Sequence, residues 1–308
     1  MAGTVPPRWP GRLVTVDGAR TFVRDTPATA PGAEPAVYVH GLGGSSSNWT
    51  DLAGLLAGRL DGQAIDLPGF GRSDPARRYT IAAASARVAR WIEYGDRGPV
   101  HLIGNSVGGT VAVHVAALRP ELVRSLTLIS PAMPFLDPRR SLQSRALPLL
   151  ALPGGARLAG RLLGRIEPEE MVRQVINACF ADPSRVSEQR RADALAEVRL
   201  RYTLAHYPTA YLGTLRGLVL MFLRAYLPGS NSLWRLARRV TAPTLVVGGR
   251  RDRLVDVRVP PRVARVIPDS RLLMLDGVGH VAQMEEPEAV AGAVLELLDE
   301  LAEGAARR

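Results

Sequence analysis

The chain contains no lysine. All 39 of its basic residues are arginine, and against 29 acidic residues they leave a formal net charge of +10. Such a charge invites a polyanionic partner, but nowhere do more than two basic residues stand together, and dispersed arginines do not form a phosphate-binding stripe. Nucleic-acid binding is therefore not expected, and the surplus raises the isoelectric point without implying a partner. Cysteine is nearly absent too. The single Cys179 excludes an intramolecular disulfide, so stability must come from packing, and the chain is compatible with a reducing compartment. No basic stretch leads into an apolar one at the N-terminus, because "MAGTVPPRWPGRLVTVDGAR" is broken by proline and arginine; the expected location is cytoplasmic.

What is present is 308 residues with 46% hydrophobic content, enough for one large α/β domain or two average ones. The first part alternates β-rich runs, "RLVTVDGARTFVRD", "AVYVHG", "GQAIDLPG", "PVHLIG" and "SLTLIS", with helical stretches. That rhythm predicts βαβ units and a mostly parallel sheet. From about 135 to 238 the texture turns helical, then "APTLVVGG" and "SRLLMLDG" resume the strands and "EEPEAVAGAVLELLDELAEG" closes as an amphipathic helix. The expected organisation is a core made of residues 1–134 and 239–308, with a helical cap, 135–238, inserted between two strands.

The uncharged run from 98 to 118, "GPVHLIGNSVGGTVAVHVAAL", is long enough for a membrane span. Its glycines at 104, 108 and 109 argue instead for a strand and a helix joined by a tight turn. Gly104-Asn105-Ser106-Val107-Gly108 fits G-x-S-x-G, in which a serine sits on a strained strand-to-helix turn with its hydroxyl exposed. A serine hydroxyl needs a base, and the base needs a carboxylate. His280 follows an apolar strand in the Gly-flanked loop "DGVGHV". Of the other histidines, His40 lies at a strand end, His101 in a strand, His114 in the helix after the serine and His206 in the helical insert, all positions of structural histidines. For the acid, Asp252 lies just beyond the strand "APTLVVGG", with Asp256 and Asp137 as alternatives at strand ends.

The order Ser106, Asp252, His280, together with "HGLGGSSSNW", "DLPGFGRSD" and "GVGH", resembles the α/β-hydrolase superfamily over about residues 12 to 136 and 240 to 300. The resemblance implies an α/β-hydrolase fold and a Ser-His-Asp triad. It further implies an oxyanion hole made by the backbone N–H groups of Leu42 and Val107, with Gly41 and Asn105 beside the substrate, and it calls for no metal and no cofactor. Serine at the nucleophile position argues against relatives that use aspartate to open epoxides or displace halide. The expected reaction is hydrolysis of a small-molecule carboxylic ester with a small or medium apolar acyl group, through an acyl-enzyme. Asn105 before the serine, in "GNSVGG", also resembles the hydrolases that cleave carbon–carbon bonds in ring-fission products. Those often carry Trp after the base, where Val281 stands here. A third alternative is a non-catalytic ligand-binding protein on the same fold. The apolar stretches "ALPLLALPGG" and "GLVLMFLRAYLPG" are candidates for an acyl pocket, and the cap is a candidate for contact with a lipid surface. Oligomeric state is not legible.

Overall fold

A computed structural model describes residues 7–135, 165–227 and 232–306. The long first β-rich run is two strands rather than one. β1 (Gly11–Val16) and β2 (Ala19–Thr26) pair antiparallel, because Asp17 and Gly18 both take positive φ, 49° and 75°, as a two-residue hairpin turn of this twist demands. β3 (Glu34–Val39), β4 (Leu60–Ile65), β5 (Val100–Asn105), β6 (Val123–Ile129), β7 (Thr244–Gly249) and β8 (Ser270–Leu275) complete an eight-stranded sheet of order β1-β2-β4-β3-β5-β6-β7-β8. From β4 to β8 every neighbouring pair is parallel.

Helices cover both faces, and the period-2 alternation of the strands shows how. Val37 and Val39, Leu102, Leu126 and Leu128, and Val246 point into one apolar layer with α2 (Ile81–Gly95) and α3 (Val107–Leu118). Tyr38, Ile103, Ile129, and Leu245 and Val247 point to the other, with α1 (Thr50–Leu56) and the C-terminal helix. Parallel strands covered on both faces read as continuous apolar runs, which is why β5 is buried at every position. The run from 98 to 118 is thus a buried strand, a turn and a buried helix.

Between β6 and β7 lie α4 (Pro168–Cys179), α5 (Glu188–Thr203), α6 (Tyr207–Arg224) and the short α7 (Leu233–Ala237). Val172 and Ile176 of α4 and Val198 of α5 form a small apolar cluster of their own with Phe180, Val186 and Val281. Leu233 and Leu236 of α7 instead join the layer of α2 and α3. After β7 come α8 (Val259–Val266), β8, α9 (Ala282–Glu285) and α10 (Pro287–Ala306). Among the described residues no helix is long and apolar enough to cross a membrane.

Candidate active site

Ser106 follows the last residue of β5 and precedes the first of α3, with φ 54° and ψ −118°. A non-glycine residue rarely adopts that backbone, and it persists here because the surroundings fix it. Its carbonyl accepts N–H bonds from Thr110 (3.1 Å) and Ala132 (3.0 Å), and its own N–H donates to Ile129 O at 3.0 Å. The flanking glycines are a packing requirement. A Cβ at Gly108 would lie 2.1 Å from Val39 O, and one at Gly104 would lie 2.5 Å from Gly108 O, so strand, turn and helix can approach only without side chains there.

His280 stands in the loop after β8. Its Nδ1 lies 2.9 Å from Asp252 Oδ2, and both side chains are almost wholly buried. The other Asp252 oxygen accepts N–H bonds from Leu254 (2.8 Å) and Val255 (2.9 Å). Burial opposes ionisation of this carboxyl, but the His280 ring and those two amides outweigh it and hold the group below the ordinary carboxylate range. Asp252 is thus positioned to accept from Nδ1–H, which leaves Nε2 as the free acceptor of the ring. Asp256 does not approach the histidine; it binds the backbone and guanidinium of Arg258 (2.8–2.9 Å). Asp137 lies outside the described residues.

Ser106, His280, Gly41, Leu42, Asn105 and Val107 line one cavity of about 530 Å³, within the range of small-molecule sites. Val107 opens α3, so its N–H has no acceptor within the helix. Leu42 lies in a turn closed by Gly44 N–H to Gly41 O (3.0 Å), and a Cβ on Gly41 would sit 3.1 Å from Ser106 Cβ. His40 holds this turn from behind. Leu67 N–H donates to its Nε2 (2.9 Å) and its Nδ1 lies 2.7 Å from Gly41 O, while burial lowers its pKa to about 4; it is a neutral structural histidine. His101 is likewise tied to Ser125 and Glu34.

The cavity walls differ from the expected ones. "ALPLLALPGG" lies outside the described residues. Of "GLVLMFLRAYLPG", no described residue lines the cavity; Leu218 is buried in the sheet layer, and Leu220 and Leu223 face outward. The apolar lining includes Val172, Val175 and Ile176 of α4, Val198 of α5, and Leu212 and Leu215 of α6.

Two further features were not anticipated. Asn105 donates from Nδ2 to the carbonyls of Ile129 (3.0 Å) and His280 (3.1 Å), joining the Ser106 turn to the His280 loop. Glu285, nearly buried, accepts N–H bonds from Gly279 (2.7 Å), Ala181 (3.1 Å) and Asp182 (2.9 Å), while His280 N–H donates to Cys179 O (2.7 Å). The loop is therefore clamped to the chain following α4. Cys179 is unpaired, and its carbonyl rather than its thiol serves the site. No cluster able to hold a metal ion occurs among the described residues.

A serine at a strained strand-to-helix turn, one cavity with a carboxylate-bonded histidine, and this sheet order converge on one family, and residues 35–287 match its model, the alpha/beta hydrolase fold. The chain belongs to that family. It is 33% identical over 270 residues to the dihydrolipoyllysine-residue acetyltransferase component of the acetoin cleaving system of Pseudomonas putida, covering 87% of this chain and 64% of that protein's length. It is 28% identical over 297 residues to the 2-hydroxy-6-oxononadienedioate/2-hydroxy-6-oxononatrienedioate hydrolase of Cupriavidus pinatubonensis, covering 93% and 94% of the two chains. The fold superposes on a thermophilic esterase from Thermogutta terrifontis with a TM-score of 0.71 at 20% identity, covering 95% of this chain and 99% of that one.

Proposed function

We propose that this alpha/beta hydrolase cleaves carboxylic esters of small or medium-chain apolar acids, with Ser106 as nucleophile, His280 as base and Asp252 as the carboxylate that orients it. The observation that carries this reading is that His280, paired with Asp252 at 2.9 Å, shares with Ser106 a cavity whose lining includes Val, Ile and Leu side chains of the helices between β6 and β7. Ser106 Oγ attacks the ester carbonyl carbon as its proton passes to His280 Nε2, and the N–H groups of Leu42 and Val107 meet the negative charge on the oxygen. The tetrahedral adduct collapses, the C–O bond breaks, and the leaving alkoxide takes the proton from His280. Water then attacks the acyl-enzyme, giving one proton to His280, which returns it to Ser106 as the acid departs. In this reading residues 135–238 are a cap over the site.

A second reading, hydrolysis of a carbon–carbon bond in a dienoic ring-fission product, is favoured by Asn105 and by the Cupriavidus relative. A cation would have to meet the substrate carboxylate. Arg190, which lines the cavity, is held by Asp51 (2.6 and 2.9 Å) and Asp193 (2.8 Å). A series of p-nitrophenyl esters from acetate to palmitate separates the two. Each buried methylene contributes up to about 0.8 kcal/mol, so kcat/KM should climb from acetate to a medium chain and then stop. Feeble, flat rates with rapid bleaching of a dienoic diketo acid would promote the second reading.

A further inference from the structure

α5 turns one charged face to the cavity, because Arg190, Asp193, Glu197 and Arg201 recur at helical spacing and all four line it. The first two are satisfied. Arg190 is shared between Asp51 and Asp193, and Arg8 Nε lies 3.0 Å from Asp193. The last two are not. Glu197 is only 4% exposed; its Oε1 takes Arg8 Nη1 at 3.1 Å, with Arg72 Nη1 at 3.6 Å, while its buried Oε2 has no partner. Arg201 carries a buried Nε without an acceptor, and its guanidinium rests 5.7 Å from the centre of the Tyr207 ring. The two side chains stand one helical turn apart, yet no ion pair joins them among the described residues. Buried polar atoms are rarely left unmatched, because an unmade hydrogen bond there costs more than a made one contributes.

Their place relative to the candidate chemistry is fixed by Tyr207. A Cβ on Gly43 would lie 3.4 Å from Tyr207 Oη and 3.1 Å from the Tyr211 ring, so Arg201 stacks on a ring that abuts the turn carrying Leu42. Arg201 thus stands beside the ring that abuts the oxyanion turn, with Glu197 one turn of α5 before it, and both line the same cavity as the Val and Ile side chains of α4.

We infer that Glu197 and Arg201 form a subsite for a hydroxyl group on the alcohol portion of the substrate, such as the free hydroxyls of a glycerol ester. A hydroxyl donates to Glu197 Oε2 and accepts from Arg201 at once. A carboxylate would satisfy Arg201 but be repelled by Glu197, and an ammonium group would meet the reverse. With the acyl chain against α4, the polar end is left for the other side of the scissile bond. The inference rests on the ester reading for its substrate, but recognition of the hydroxyl can be measured without turnover.

The test is calorimetric, using two ethers that cannot be cleaved, 1-O-octylglycerol and octyl methyl ether, with the octyl ether of glycolate as an anionic probe. Wild type should bind octylglycerol about tenfold or more tighter than the methyl ether, as expected for hydrogen bonds to charged groups. Glu197→Gln should erase most of that margin: the Gln oxygen must face Arg8, which places the amide NH2 where the free acceptor stood. Arg201→Met, which keeps the stem but loses the donors, should do the same, with thermal melting used to confirm that each variant is folded. Equal affinity for octylglycerol and the methyl ether in wild type, a margin that survives in both variants, or tightest binding of the glycolate ether would overturn the subsite. Failure of wild type to hydrolyse any ester, with the binding margin intact, would count against the ester reading alone.

Discussion

At the scale of single residues, two aspartates four positions apart do different work. Asp252 carries the His280 bond and Asp256 carries Arg258. Asp252→Asn should therefore lower kcat by several orders of magnitude, through loss of the Nδ1–H tautomer, as in other triads where the loss is about 10⁴-fold. Asp256→Asn should cost little, and so should Asp137→Asn. Steady-state rates of the three variants side by side check this, and a severe loss confined to Asp137→Asn would move the acid to the end of β6. His40 supplies a pH test. Its folded pKa of about 4 lies below the unfolded 6.5, so the unfolded chain binds the proton first and stability is lost as pH falls from about 6.5 to 4. The shift corresponds to about 3 kcal/mol. His40→Gln lacks this term, so the stability advantage of wild type over that variant, measured by urea unfolding, should shrink across that window. An advantage independent of pH would contradict the buried neutral state.

At the scale of elements, the geometry of the candidate site depends on contacts between segments remote in sequence. The His280 loop is held by Glu285 against Ala181 and Asp182, about a hundred residues away. In Glu285→Gln one carboxylate oxygen becomes an NH2 facing backbone donors, which should lower stability by about 2 kcal/mol. It should also cut kcat by roughly tenfold or more through misplacement of His280. A variant that melts earlier but turns over at the wild-type rate would leave Glu285 a purely structural clamp. This remoteness explains what the sequence revealed and what it concealed. Ser106, His280 and Asp252 were legible because each follows an apolar strand and two sit among glycines, signals confined to a few neighbouring residues. The hairpin of β1 and β2 was read as one run, although Asp17 and Gly18 mark its turn. The Glu285 clamp and the unmatched Glu197 carry no local signal, since a glutamate on a helix is ordinarily solvated. Of the apolar stretches expected at the cavity, "GLVLMFLRAYLPG" sends none of its described residues there, and part of the described lining comes instead from the more polar α4, which needs only Val172, Val175 and Ile176 on one face.

At the scale of the molecule, the eight-stranded sheet brings the ends of β5, β7 and β8 to one edge, and the helices between β6 and β7 roof the cavity that forms there. α5 is anchored to the rest of the chain by the Arg190–Asp51 pair and by Arg8 on Asp193 and Glu197. Arg190→Met should thus leave Asp51 without its partner and Asp193 with Arg8 alone, and destabilise the protein by roughly 2 kcal/mol. Chemical denaturation would show that loss, and an unchanged midpoint would mean that the anchoring is dispensable. Whether this architecture activates Ser106 is tested by reaction with a fluorophosphonate probe followed by peptide mass spectrometry. Wild type should be labelled rapidly and at Ser106 alone, while Ser106→Ala should not react and His280→Ala should react far more slowly. Absence of labelling in folded wild type, or labelling at another serine that persists in Ser106→Ala, would contradict that activation.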